Sequence, residues 1–295
     1  MDRFDEMRIF LRVAETCSFR RTAESLGMPA STISDAVRHM ETRLGVRLLD
    51  RTTRVVAPTL DGEAWYQRCL AIVGEVEDAE AAFAGGDVKG RLRVDVHGTL
   101  ARHFLLPTLP DFLRAQPQLE LVMSEGDRLV DLIREGVDCV VRVTEPADSD
   151  LIARRLGVLP ETIVAAPAYL ERYGLPLTPD ELEGHRVVAF LSSKTGAPMD
   201  LEMMVNGQIV TRRLPTSFVT TGAETMVDAA RLGLGLVQVP RYHVTADIAA
   251  GRLIEVLTHY APAPSPVVAL YPRNRQLSPR LRVFLDWLAT RSFTA

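Results

Sequence analysis

The sequence predicts a helical N-terminal region followed by an α/β region, and three observations predict it. Residues 1–60 hold only two glycines, Gly27 and Gly45, and read as short helices. Residues 61–86 form one long amphipathic pattern that stops at Gly85-Gly86. From Gly90 onward, strand-like runs alternate with helix-like runs, as they do in α/β folds. The 295 residues suffice for two or three domains, each with its own core.

The first helix covers residues 4–17, with Phe4, Met7, Phe10, Leu11 and Ala14 along one face. Ser18 caps a second helix, and Gly27 ends it in the left-handed conformation that other residues resist. Pro29-Ala30-Ser31 leads into a third helix whose Ile33, Val37, Met40 and Leu44 stripe faces the core. Its opposite face carries Ser31, Ser34, Asp35, Arg38 and Thr42. Small Ala23, turn Gly27 and branched Ile33 have the spacing of a helix-turn-helix. In that motif the second helix enters the major groove, its N-terminal residues nearest the base edges. A plain three-helix bundle shares the spacing. Against it stand two short apolar runs, 46–49 and 54–56, joined by Asp50-Arg51-Thr52-Thr53. They read as a hairpin wing that holds Arg51 and Arg54 ready for phosphate or minor-groove contact.

Charge first argues otherwise. The chain has 34 Lys+Arg against 38 Asp+Glu, a net charge of −4. The distribution removes the objection, because residues 20–54 hold seven Arg against four acids. The footprint is small, so useful occupancy of DNA calls for more than one subunit. The opening residues lack the apolar core of a signal peptide, and no run is long enough to span a membrane. Cys17, Cys69 and Cys139 read as three buried free thiols in a reducing cytosol. The six histidines show no metal-ligand spacing, and neither a GxSxG elbow nor a GxGxxG loop is present, so no metal, cofactor or catalytic residue is expected.

The run FRRTAESLGMPASTISDAVRHMETRLGVRLLDRTTRVVAPTLDG resembles the N-terminal winged helix-turn-helix of LysR-type transcriptional regulators. Its Ala23, Gly27, Ser34, Glu41, Leu44-Gly45, Leu48-Leu49, Arg51, Thr53-Arg54, Thr59 and Gly62 carry the likeness, which continues through the whole chain. The resemblance implies a DNA-binding domain at 1–60, a linker and dimerisation helix at 61–87, and an effector-binding domain at 88–295. It also implies DNA contacts from Arg21, Thr22, Ala30, Ser31, Thr32, Ser34, Asp35, Arg38, Arg51 and Arg54. Asp35 departs from the basic or amide residue found in many members. A carboxylate there either accepts from cytosine N4 or orients Arg38.

Trp65, Cys69, Ile72, Val76, Ala79 and Phe83 follow a heptad seam along the long helix. A helix of about 24 residues, ~36 Å long, cannot bury this stripe by itself. It packs either on its own effector domain or, as the resemblance implies, on a second copy in a homodimer or homotetramer.

In the α/β region, strands are expected at 91–97, 120–124, 138–143, 187–191, 217–221, 234–239 and 267–271, with helices at 127–135, 223–232 and 278–290. This resembles the two-lobed fold of type 2 periplasmic binding proteins, with lobe I at about 90–161 and 267–295 and lobe II at about 162–266. A ligand would lie between the lobes, at strand ends and helix N-termini. The candidates there are Thr99, Leu100, Ser124, Arg142, Thr144, Ser192, Thr220 and Thr221, with Arg142 able to bridge the lobes instead. Free N–H groups beside Thr99 and Thr221 favour an anion, so the expected effector is an organic acid or small aromatic compound. The expected function is a cytoplasmic, ligand-responsive, bacterial transcription regulator whose partners are promoter DNA, its own copies and RNA polymerase. The alternative is a solute-binding or enzymatic α/β domain with a helical extension that does not bind DNA.

Overall fold

The computed structural model describes residues 1–51, 56–84, 88–128, 131–132, 135–145, 150–273 and 277–293. Asp2 and Asp5 form a reciprocal capping box at the start of α1 (Arg3–Thr16), which Cys17 ends in the left-handed region at φ 51°. Ser18 caps α2 (Phe19–Leu26), and Gly27 ends it at φ 63°. α3 (Ala30–Leu44) ends at Gly45, φ 72°. Its Ile33, Val37 and Met40 are fully buried against Ile9, Phe10 and Val13 of α1.

The wing is present but displaced along the chain. Its strands are β1 (Leu49–Arg51) and β2 (Val56–Pro58), paired antiparallel from Leu49 opposite Pro58. Strand pairing starts later than the expected 46–49 because Glu41 Oε1 takes the N–H groups of Leu48 and Leu49, at 2.9 and 3.2 Å. Leu48 and Leu49 then enter the helical core. The long helix, α4 (Leu60–Ala84), sends Cys69 and Val73 into that same core. Burying a large apolar side chain contributes about 1.5–3 kcal/mol. This shared core therefore joins the helix-turn-helix, the wing and the first half of α4.

The remainder is α/β. β3 (Lys89–Val96), α5 (Gly98–Leu100), α6 (Leu109–Ala115), β4 (Gln118–Glu125), β5 (Cys139–Val143) and β6 (Leu151–Leu159) come first. The chain then enters β7 (Glu161–Ala165), α7 (Pro167–Tyr173), β8 (Val187–Phe190), β9 (Leu201–Val205), β10 (Gln208–Arg212) and β11 (Thr216–Thr220). α8 (Ala223–Arg231), β12 (Val237–Pro240), α9 (Thr245–Ala249), β13 (Ile254–Val256), β14 (Ser265–Pro272) and α10 (Pro279–Ala289) complete it.

One sheet has the order β4-β3-β5-β14-β6, and a smaller one β12-β7-β13, with the parallel pair β8 and β11 beside it. The chain leaves the five-stranded sheet after Leu159 and returns at Ser265, so two crossovers join the lobes. Five strands lie outside the sequence pattern: β6, β7, β13 and the β9–β10 hairpin, which Asn206-Gly207 turns with positive φ at both residues. The described residues of the segment 127–135, expected to be helical, form bends and turns instead. Among the described helices, none is long and apolar enough to cross a membrane.

Candidate functional site

The polar face of α3 is open. Ala30, Ser31, Asp35 and Arg38 are exposed, with Ser34 half-buried among them. Pro29 supplies no side-chain cap, so the first-turn N–H groups of α3 point outward, an arrangement suited to a phosphate oxygen. Arg38 Nη1 donates to Asp35 Oδ1 at 3.0 Å, an exposed pair on this face. Behind this face, the Glu6 carboxylate takes Arg43 Nη2 at 3.0 Å and His39 Nδ1 at 2.8 Å, tying α1 to α3. Burial pushes the Glu6 carboxyl up, but these bonds outweigh it and hold it below the usual carboxylate range.

Some expected DNA contacts fall elsewhere. Thr22 is fully buried and its hydroxyl lies 2.7 Å from that of Thr16, so it holds α2 to α1 and cannot reach DNA. Thr32 lies off the recognition face and lines a cavity of about 900 Å³ between the helical domain and the α/β domain. Arg21 is exposed on α2. Arg54 lies outside the described residues, as does the side chain of Arg51.

The seam on α4 divides. Cys69 is fully buried in its own domain's core and cannot serve a second copy. Burial pushes its thiol up to about 12. Trp65 is half-buried there and its Nε1 donates to Met40 Sδ at 3.0 Å. Ile72, Val76 and Ala79 are exposed, while the side chain of Phe83 is outside the described residues. Of the thiols, Cys139 is also buried but Cys17 is exposed, correcting the expectation of three buried ones.

The helical domain rests on the α/β domain through ion pairs. Glu15 takes Arg91 at 2.5 Å and Arg93 at 3.4 Å, and Glu77 takes Arg8 at 2.9 Å and the buried Arg280 at 3.4 Å.

Between the lobes lies a cavity of about 220 Å³. His97, Thr99, Asp127, Val143 and Ser265 line it from the first lobe. The second lobe supplies an apolar wall of Val187, Val188, Phe190, Leu201, Met226 and Val239, with Glu202, Gln238, Tyr242 and His243 set into it. Glu161 stands at the outgoing crossover. A hydrogen-bonded chain spans the lobes, from His97 Nδ1 to Thr99 Oγ1 at 2.8 Å and from Thr99 Oγ1 to the Tyr242 hydroxyl at 2.7 Å.

Burial pushes the Glu161 carboxyl up to about 8, with the Glu202 charge adding to the rise against a hydrogen bond from Ser265. Burial likewise raises the Asp127 carboxyl and lowers the His97 imidazole. It takes His243 down to about 3, with His97 and His103 adding. Among the described residues no Lys or Arg lines this cavity. A neighbouring cavity of about 230 Å³ shares His97, Thr99 and Asp127 and opens past Thr221. There Arg102 pairs with Glu125 at 3.2 Å and, across the lobes, with Glu224.

Of the eight expected cleft residues, Thr99 and Thr221 line these cavities. Leu100 is fully buried in the first lobe's core. Arg142 does not bridge the lobes: it is buried within the five-stranded sheet, paired with Asp95 and bonded to the Asp95 and Val141 carbonyls at 3.1 Å. Ser124 donates to the same Asp95. Thr144, Ser192 and Thr220 bond local backbone and do not line the cavity. Glu224, in the first turn of α8, already supplies negative charge at the helix end where an anion was expected. The sequence reading missed Glu161, Glu202, Asp127, Tyr242 and His243. The available signal was Glu161 itself, a lone acid opening the apolar run Thr162 to Ala165.

Residues 85–292 match the LysR substrate binding domain, and residues 4–63 match the bacterial regulatory helix-turn-helix protein, lysR family. The chain is 35% identical over 291 residues to the uncharacterized HTH-type transcriptional regulator YhjC of Escherichia coli K12, covering 98% of this chain and 97% of that protein. It is 34% identical to the HTH-type transcriptional activator AaeR of the same organism, covering 98% and 93%. The solved structure of CrgA, a LysR-type transcriptional regulator from Neisseria meningitidis, aligns with TM-score 0.60 and 31% identity over 97% of both chains.

Proposed function

Because the chain belongs to the LysR family of DNA-binding transcription regulators, with an effector-binding domain after its helix-turn-helix, we propose that it is a ligand-responsive, sequence-specific regulator of promoter DNA. It acts in the bacterial cytoplasm as a homodimer or homotetramer that addresses RNA polymerase. Ala30, Ser31, Ser34, Asp35 and Arg38 meet the major groove, with the wing beside them. The exposed Ile72, Val76 and Ala79 stripe of α4 supports pairing with a second copy. Two copies then place their recognition helices on half-sites one helical turn, or a multiple of it, apart.

The observation that carries the ligand-responsive part is the cavity shared by both lobes, bridged by Thr99–Tyr242 and Arg102–Glu224. A compound held there changes the angle between lobes, and through the domain-spanning ion pairs it changes how the helical domains sit on DNA. The coupling equals the compound's differential affinity for the two arrangements. The apolar wall supports the small aromatic half of the expected effector class. A gel-shift titration against salt tests the DNA reading: a specific complex with a steep negative log–log salt slope is expected. Equal affinity for promoter and unrelated DNA would overturn it.

A further inference from the structure

We propose that the interlobe cavity takes a small amine, a single-ring apolar body whose protonated nitrogen pairs with Glu161 and Glu202 at the hinge. This deepens, and rests on, the reading of the cleft as the effector site. Size sets the first limit. An apolar cavity of about 150 Å³ holds benzene, so 220 Å³ leaves room for one ring and a short polar arm.

Charge sets the second. Carboxylates line the cavity, and among the described residues no Lys or Arg does. Asp200 is already paired with Arg213 at 3.1 Å, and the nearby Arg142 with Asp95, so these charges are balanced locally. The lining histidines are held neutral by burial and offer no fixed positive charge at neutral pH. An anion entering this space would lose its hydration and gain no countercharge, a large penalty. Glu161 and Glu202, by contrast, share an unfavourable like-charge field that one ammonium relieves.

Position gives the binding a consequence. Glu161 follows Leu159 by two residues at the outgoing crossover, and Ser265 begins the returning strand β14. Glu161 and Ser265 therefore bring the outgoing and returning crossovers to the wall of one cavity. An ammonium drawn to Glu161 acts there, at the point where lobe angle is set. Because ammonium binding favours ionised Glu161, binding releases a proton and tightens as pH rises from about 6 to about 8.

The test uses the full-length protein and matched probes: benzylamine against benzoate, and cyclohexylamine against cyclohexanecarboxylate, in thermal shift and calorimetry. The amines are expected to raise the melting temperature and the acids to leave it unmoved. Glu161→Gln and Glu202→Gln should each weaken benzylamine roughly tenfold to hundredfold while preserving or raising the melting temperature without ligand. The wild-type probe comparison stands even if a variant fails to fold. Equal or stronger response to the acids, or no response to either set, overturns the proposal. Amine binding that leaves operator affinity unchanged supports the ligand class and defeats the effector reading. Acid binding that shifts operator affinity does the reverse.

Discussion

Gly62→Ala tests the joint between wing and linker helix. A Cβ on Gly62 would stand 1.9 Å from the Leu48 carbonyl oxygen and 2.8 Å from its carbon, against the 3.4 Å at which ordinary contact begins. Backbone must therefore move by 1.5 Å, the difference between 3.4 and 1.9. The carbonyl is not free to turn, because it accepts the Thr59 N–H at 3.0 Å. Nor is its residue, because Leu48 N–H is held by Glu41. Withdrawing the start of α4 strains two further bonds, Gly62 N–H to Thr59 Oγ1 at 2.9 Å and Thr59 Oγ1 to Arg47 O at 2.7 Å.

Overpacking costs about 1–3 kcal/mol and each lost bond about 1 kcal/mol, while alanine's helix preference returns about 1 kcal/mol. The expected net loss is about 3 kcal/mol. Urea unfolding read from Trp65 fluorescence, in a Trp287→Phe background, should show the midpoint falling at unchanged slope. DNA affinity should fall with it, since the wing shifts with Leu48. An unchanged midpoint and unchanged affinity would refute the reasoning.

Asp35→Ala should release Arg38 and remove a negative charge from the recognition face, raising nonspecific DNA affinity and steepening the log–log salt slope by about one unit; identical affinity and slope would remove Asp35 from the interface. Glu6→Gln leaves Arg43 and His39 without their buried counter-charge, and a loss of about 2–3 kcal/mol in the helical domain is expected by denaturant unfolding. Glu6 titrates below its unfolded value of 4.5, so its contribution is complete above that pH and disappears as pH falls through the folded value. The stability gap between wild type and Glu6→Gln should therefore close in acid; a gap independent of pH would contradict the ion-pair account. Tyr242→Phe deletes the buried bond to Thr99 across the lobes and should cost about 1–2 kcal/mol in the α/β domain, measured by the same unfolding assay in a Trp65→Phe background.

The helical half was legible because its rules are local. Gly27 and Gly45 take the left-handed conformations that end their helices, and Ile33, Val37 and Met40 sit on the face that their spacing gives. Periodicity says which side of a helix is buried but not against what. That is why the heptad spacing marks Cys69 as a dimer residue when it belongs to the chain's own core, where Thr22, a DNA contact only by the resemblance, is buried too. The Asn206-Gly207 dipeptide is a local signal for the hairpin it turns. The cleft was not readable. Glu161, Glu202 and His243 come from three distant segments, which the second lobe's own pairings bring to one cavity: Glu161 on β7 stands opposite Pro240 on β12, and Glu202 N–H bonds the Gln238 side chain. Arg142 read as a cleft residue from its place on a strand, yet its partner Asp95 lies on the neighbouring strand and draws it into the sheet.

Nuclease footprinting of the full-length chain on its own upstream DNA, beside Ser34→Glu, tests the central claim most directly. The account predicts protected half-sites centred about 10–10.5 base pairs, or a multiple, apart. Ser34→Glu, which sets a carboxylate on the polar face of α3 proposed to meet DNA, should abolish them. No protected site, or protection that survives the substitution, would contradict it.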